Sequence, residues 1–535
     1  MNYLLHHLLE ESARRFPDKD AATFQTERLT YGELNELSDR LATVLRAHGV
    51  RRGDRVGIYL NKSLPSLVSI HGILKTGAAY VPLDPGAPPE RLAYIIGNCG
   101  IRCLLTSTRN AAKLAEIFPA ENPLTLVVLT DSAGEQPAGL SCPVVNWERV
   151  RATDASAAPE PTIDTDLAYI LYTSGSTGVP KGVMISHRTS LTFVNWAHET
   201  FAVRPEDRLS SHAPFHFDLS IFDIFVAFKA GATVALVPEG LSTFPFRLAE
   251  WIENNRISIW YSVPSVLSAM VLHGRLDRLG FADLRALLFA GEVFPVKFLR
   301  QLMSALPHAD FYNLYGPTET NVITYYKVPK LPPEQTQPIP LGRVCANSEV
   351  FGVDEDGQVV TRPGQVGELY ARGSGVAYGY WGDQEKTAGA FVLNPLQAGY
   401  DQRCYKTGDL TTLDADGNYL FLGRRDHMVK SRGYRIELGE IESALYSHPL
   451  VKEAAAVAVP DELIGNRLRA FVVMSEGAIA TSDELQRWCG KSIPAYMVPE
   501  AVEFRASLPK TSTGKMDKPA LLASIDPATG QAPSR

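Results

Sequence analysis

Apolar positions recur at helical spacing over residues 34–48 and 63–76, and between them residues 55–60 (Arg-Val-Gly-Ile-Tyr-Leu) form a short apolar run of strand character. Helical and strand patterns in alternation predict a layered α/β fold. The pattern continues at residues 233–237 (Thr-Val-Ala-Leu-Val) and 257–261 (Ile-Ser-Ile-Trp-Tyr), each preceded by a helical stretch, so doubly wound sheets are expected. Residues 131–165 are rich in Pro, Ala and Ser, and only Val144 and Val145 interrupt what reads as an irregular connection into a strand at 167–171. Beyond residue 357 the strands shorten and glycines punctuate them, at 367–372, 409–413 and 419–422, which predicts a small β-rich subdomain. The C-terminal part has a helical run at 438–447 and strands at 454–459 and 468–473, the pattern of a compact α+β domain. Residues 524–535, rich in Pro, Gly and Ala, read as a disordered tail.

The strand at 167–171 leads into the chemistry. Residues 172–182 read Tyr-Thr-Ser-Gly-Ser-Thr-Gly-Val-Pro-Lys-Gly, a set of hydroxyls and glycines around one lysine. Glycines let the backbone approach an anion, hydroxyls and N–H groups solvate its oxygens, and Lys181 supplies countercharge, so Thr173, Ser174, Gly175, Ser176, Thr177, Gly178 and Lys181 are candidates for holding a polyphosphate. The stretch fails the Walker A pattern twice: Pro180 stands where the second glycine belongs, and Gly182 where the magnesium-binding Ser or Thr belongs. A Gly/Ser linker is the bland alternative, and an internal Pro-Lys-Gly beside a buried strand is unlike one.

Composition bounds the answer. At 535 residues the chain exceeds a single core, and 45% hydrophobic with 21% charged residues is ordinary for globular enzymes. A net charge of −7 provides no basic field for nucleic acid or anionic membrane. No run of about twenty apolar residues exists, and the first residues lack a basic leader, so a cytoplasmic enzyme is expected. Cys99, Cys103, Cys142, Cys345, Cys404 and Cys489 show no Cys-x-x-Cys spacing and read as small packing residues.

Further motifs follow in order: residues 315–319 (Tyr-Gly-Pro-Thr-Glu), 405–409 (Tyr-Lys-Thr-Gly-Asp), 423–426 (Gly-Arg-Arg-Asp), 430–440 (Lys-Ser-Arg-Gly-Tyr-Arg-Ile-Glu-Leu-Gly-Glu) and 509–515 (Pro-Lys-Thr-Ser-Thr-Gly-Lys). Residues 29–35, 74–85 and 367–370 also match, and together these resemble the signature motifs of adenylate-forming enzymes, specifically the amino-acid-activating adenylation domains of nonribosomal peptide synthesis. The resemblance spans nearly the whole chain. It implies a core at 1–425 and a mobile domain at 426–523 that turns about Asp426 between two half-reactions. It implies ATP and Mg2+, with Lys515 bridging substrate carboxylate and nucleotide, Tyr315 stacking on adenine, Thr318 on the α-phosphate, Glu319 on magnesium, Asp409 on the ribose hydroxyls and Arg424 among the ATP-binding residues. Without the motifs, Lys515 would read as a solvated lysine and Asp409 as a turn residue.

Residues 217–222 (Phe-Asp-Leu-Ser-Ile-Phe) match the segment in which amino-acid-activating relatives set an aspartate against the substrate ammonium, which marks Asp218; by itself Asp218 also reads as a helix N-cap. The same resemblance gives Leu219, Phe222, Tyr261, Leu288, Ala290, Leu314, Val322 and Ile323 as the rest of the pocket. Only the Tyr261 hydroxyl is polar there, and a charged substrate side chain would be left unpaired at a cost of several kcal/mol, on the order of a buried polar group without a partner. The set is similar to that of stand-alone prolyl-activating enzymes. Residues 217–223 and 288–295 also resemble D-alanine-activating ligases, so D-alanine or another small aliphatic amino acid stays open, with an acyl- or aryl-CoA ligase further off. The sequence shows no Gly-Gly-x-Ser carrier motif and no His-His-x-x-x-Asp-Gly, so a separate carrier protein, bearing phosphopantetheine, is expected to act in trans.

Overall fold

The structure is a computed structural model that describes residues 2–118, 123–131, 140–155, 160–175, 179–425, 428–510 and 516–525. Ser176, Thr177, Gly178, Asp426 and Lys515 lie outside the described residues, as does the tail from 526. The chain divides into two compact units: Met1–Pro85, Ile95–Tyr172 and Gly182–Arg425 form the first, and Gly86–Tyr94, Thr173–Lys181 and Asp426–Arg535 the second.

Two large sheets organise the first unit. One has nine strands in the order Arg343–Val344, Thr324–Lys327, Asp310–Tyr315, Ala286–Ala290, Ile259–Ser262, Arg208–Ser211, Thr233–Leu236, Asp20–Phe24 and Glu27–Thr30, parallel through its middle and antiparallel at its edges. The other has seven, in the order Val144–Asn146, Leu126–Leu129, Cys103–Thr106, Arg55–Tyr59, Ala79–Pro82, Leu167–Thr173 and Lys181–Ser186. Helix Tyr31–Ala47 starts on a capping box: the Thr30 hydroxyl accepts from the Glu33 amide at 3.2 Å, and the Glu33 carboxylate accepts from the Thr30 amide at 2.8 Å. Helix Leu64–Lys75 is apolar nearly all round and buried along its whole length, as such a helix must be. A smaller antiparallel sheet holds Ser348–Val353, Gly367–Gly373, Arg403–Leu413 and Phe391–Leu393, with Tyr419–Arg424 paired to Arg403–Leu413. This is the expected β-rich subdomain.

The second unit contains a two-stranded ribbon, Met428–Ser431 with Tyr434–Glu437, and a three-stranded sheet of Val451–Asp461, Gly465–Met474 and Ala501–Phe504. Helices Leu438–Tyr446 and Ser482–Cys489 bury Ile441, Leu445, Leu485 and Cys489 in its core.

Two local expectations are corrected. Residues 131–165 are not irregular throughout, because Val144–Asn146 is a strand and Trp147–Arg151 a helix, capped by Asn146 Oδ1 accepting from the Arg149 amide at 2.9 Å. The strand read at 409–413 begins at Arg403; its polar Lys-Thr-Gly-Asp stretch hides the period of two. All six cysteines are buried and free. Among the described residues no helix is long and apolar enough to cross a membrane.

Three histidines, His6, His71 and His187, are buried in the first unit, and His212 is half-buried. Burial holds His6 well below its usual range, His71 at about 3, His187 at about 4 and His212 at about 3. His71 lies against the rings of Phe225 and Phe228, and among the described residues neither ring nitrogen makes a hydrogen bond. An unfolded histidine takes up its proton near pH 6.5 while the folded one stays neutral, so the unfolded state binds more protons as pH falls, and stability present above 6.5 is lost toward pH 4. Replacing His71 with Leu removes one such proton, so its unfolding free energy between pH 6.5 and 5 should depend on pH less steeply than the parent's by about 1.4 kcal/mol per pH unit. Parallel curves in denaturant titrations would contradict it.

Candidate active site

Strand Asp310–Tyr315 ends on Tyr315, and the chain then turns so tightly that a Cβ on Gly316 would lie 1.7 Å from the Asn321 carbonyl oxygen. Only glycine fits. The turn leaves the Glu319 side chain fully buried, with one carboxylate oxygen accepting from the Tyr380 hydroxyl at 2.8 Å, and Thr318 half-buried beside it. The Tyr315 hydroxyl donates to Asp409 Oδ2 at 2.5 Å, and Arg424 Nη1 donates to Asp409 Oδ1 and, at 3.1 Å, to the Thr407 carbonyl. Burial, and after it the Asp409 charge, pushes the Tyr315 hydroxyl well above its usual range, so it stays a donor. Tyr315 and Glu319 of one motif, Asp409 of a second and Arg424 of a third thus belong to one unit, and Tyr315, Asp409 and Arg424 are directly bonded. Each Asp409 oxygen keeps a lone pair for a further donor such as a hydroxyl.

A second cluster lies on the same sheet. Tyr261 is registered with Leu288, and Ala290 with Leu314, so by the alternation of strands these four share one face, while Trp260, Leu287 and Phe289 face a different core. Phe222 meets Tyr261 edge to face, ring centroids 5.5 Å apart, and Val322 and the half-buried Leu219 pack in the same cluster. Asp218 stands in the turn just before Ser220, whose hydroxyl donates to the Phe217 carbonyl at 2.6 Å. Burial first and the Asp218 charge next push the Tyr261 hydroxyl well up, and burial with the Asp218 charge does the same to Tyr169 against the pull of the Ser190 hydroxyl. Ile323, expected in the same wall, packs instead with Tyr315, Leu341, Val350, Leu369 and Ala371; successive residues of a near-extended chain point to opposite sides. Cys345 shares the cluster with Tyr261 and contributes to its shift, a neighbour that no spacing in the sequence marks.

In the second unit, the Gly175 amide donates to Glu440 Oε1 at 2.6 Å, Arg91 Nη1 donates to Glu440 Oε2 at 3.0 Å, and the Ser174 hydroxyl donates to the Arg435 carbonyl at 2.7 Å. Burial pushes the Glu440 carboxyl up against the opposing pull of Arg91 and the Gly175 amide. A carboxylate oxygen therefore takes the donor that a phosphate oxygen was expected to take, and the two anions ask the same of a backbone N–H. The Thr173 hydroxyl is buried and makes no hydrogen bond among the described residues. Lys181 opens strand Lys181–Ser186. Arg91 and Tyr380 were not singled out from the sequence, since an Arg and a Tyr outside any phosphate motif carry no signal of their own.

Among the described residues no group of three His, Cys, Asp or Glu side chains could hold a metal. Magnesium does not need one: it usually takes one or two carboxylates and completes its shell with water and substrate phosphates, and Glu319, with one oxygen bonded to Tyr380, fits that use.

Mixed sheets in a large α/β unit, a β-rich subdomain and a small α+β unit are the adenylate-forming fold. Residues 9–381 match the AMP-binding enzyme family and residues 440–515 the AMP-binding enzyme C-terminal domain, and the chain belongs to that family. An L-proline--[L-prolyl-carrier protein] ligase of Pseudomonas fluorescens is 39% identical over 98% of this chain and 99% of its own length. A ligase of the same name from Streptomyces coelicolor is 39% identical over 92% of this chain and 91% of its own length. An artificially fused adenylation and carrier-protein di-domain from Klebsiella oxytoca superposes with a TM-score of 0.79 at 26% identity, covering 94% of this chain and 93% of that one. The protein is an AMP-forming adenylating ligase, homologous to the prolyl-carrier protein ligases.

Proposed function

We propose that the substrate is the amino acid L-proline, activated to prolyl-AMP with Mg2+ and transferred to the phosphopantetheine thiol of a separate carrier protein. The observation that carries this reading is the apolar cluster shared by Leu219, Phe222, Leu288, Ala290, Leu314 and Val322, in which Tyr261 brings one hydroxyl and feels the charge of Asp218. A pyrrolidine ring fills an apolar slot, and its secondary ammonium still donates two hydrogens to Asp218. The names of the two relatives at 39% identity support it. In the first step a carboxylate oxygen of the amino acid attacks the α-phosphorus, a new O–P bond forms and pyrophosphate leaves. Lys515 bridges carboxylate and nucleotide there, Tyr315 meets adenine, Thr318 the α-phosphate and Asp409 the ribose, while residues 173–178 and Lys181 hold the phosphates. Glu319 would hold magnesium, which would supply neutralising charge to the phosphates. In the second step the carrier thiol attacks the acyl carbon, loses its proton to solvent, and AMP leaves.

D-alanine is the rival reading, favoured by the match at residues 217–223 and 288–295. Pocket volume separates the two. Ala290 is buried on the shared face opposite Leu314, so Ala290→Leu adds about three methylene-sized groups to the wall, where overpacking costs roughly 1–3 kcal/mol. The ratio of kcat/KM for proline over alanine should be high in the parent and fall about tenfold in the variant. A parent that prefers D-alanine, or a variant with an unchanged ratio, would sink the proline reading.

A further inference from the structure

Lys62 spans the two large sheets of the first unit. It follows strand Arg55–Tyr59 of the seven-stranded sheet, directly before Ser63, the N-cap of helix Leu64–Lys75, and it is buried. Its ammonium donates at 2.7 Å to the Ser211 carbonyl and at 2.7 Å to the His212 carbonyl. Those carbonyls end strand Arg208–Ser211 of the nine-stranded sheet and begin the loop that runs to Asp218. The charges facing Lys62 are Asp223 and Glu239, and His212 is the neighbouring imidazole. Asp223 follows Phe222 in the π-helical turn Phe222–Val226; it is buried, and burial pushes its carboxyl well above the usual range against the pull of Lys62 and of the His212 backbone. Burial, against the pull of Asp223 and Glu239, brings the Lys62 ammonium down to about 8.

A buried lysine is a costly way to fill space, and apolar residues of similar volume usually stabilise a core as well or better. What this one provides is geometry. Its hydrogen bonds fix residues 211–212, its charge faces residue 223, and between them run Asp218, Leu219 and Phe222. A π-turn, rare and frequent at functional sites, closes the segment on the Asp223 side.

We propose that Lys62 is a positioning residue for the amino-acid substrate, pinning both ends of the segment that carries Asp218, Leu219 and Phe222 so that the Asp218 carboxylate meets the substrate ammonium. The proposal rests on the reading of Asp218 given above. It acts on one substrate of two, since ATP is assigned to other residues.

The test uses the full chain in amino-acid-dependent ATP/pyrophosphate exchange, with the amino acid the parent prefers. Lys62→Met should raise the KM for the amino acid about tenfold or more and leave the KM for ATP within about twofold. Because Lys62→Met leaves the Asp223 carboxylate buried without its facing charge, Lys62→Met/Asp223→Leu is measured as well. The double variant should recover thermal stability and keep the raised amino-acid KM. Recovery of that KM together with stability, or a parallel rise in the KM for ATP, would make Lys62 a residue of the fold alone and overturn the proposal. Asp218→Asn, run alongside, separates the two readings: if it raises the amino-acid KM while Lys62→Met does not, only the positioning role falls; if it leaves the KM unchanged, the ammonium site itself is misplaced.

Discussion

Replacing Lys515 with alanine is expected to slow proline-dependent ATP/pyrophosphate exchange by about two to three orders of magnitude, the range for losing one preorganised donor that stabilises transition-state charge. Negative charge accumulates as a carboxylate oxygen closes on an α-phosphate that is already anionic, and a lysine bridging the two lowers the barrier only while that bond forms. The proposed transfer from preformed aminoacyl-AMP to the carrier thiol begins after the bond exists, so it should suffer far less. Single-turnover assays of the two steps make the comparison. Equal losses in both would mean that Lys515 supports the fold or the second step and not the adenylation chemistry.

Asp218→Asn keeps the size of the side chain and removes the charge proposed to face the substrate ammonium. Breaking an ion pair that bound substrate closes off from water costs roughly 3–5 kcal/mol, so the KM for proline should rise by at least about a hundredfold, each decade being about 1.4 kcal/mol. The KM for ATP should hold, because Tyr315, Asp409 and Arg424 form their own bonded group. An unchanged KM for proline would leave Asp218 as a helix-capping residue and reopen the substrate class.

Several motifs read for function turn out to explain structure as well. Residues 29–35 contain the Thr30–Glu33 capping box, and residues 74–85 end one helix, turn at Gly77 with φ of +76° and enter strand Ala79–Pro82, so both are punctuation that a single sequence spells out locally. Tyr315, Glu319, Asp409 and Arg424 were legible for the same reason, each lying in a short motif, although the bond from Tyr315 to Asp409 joins strands of different sheets. What stayed hidden was pairing across long separations by residues of ordinary type. No motif marks Lys62, whose ammonium the structure sets on the Ser211 and His212 carbonyls, or Tyr380, whose hydroxyl it sets on Glu319. Ile323, which the resemblance set in the same wall as Val322, packs with a different set of buried residues. The amide of Gly175 was marked as an anion donor, and the structure supplies an anion from the chain itself, Glu440.

The most direct test of the whole account is ATP/pyrophosphate exchange measured across the proteinogenic amino acids, D-alanine, and representative fatty and aryl acids. Exchange strongest with L-proline is the predicted result, whereas exchange driven by an acyl or aryl acid, or by a charged amino acid, would contradict the substrate assignment built on Asp218 and its apolar wall.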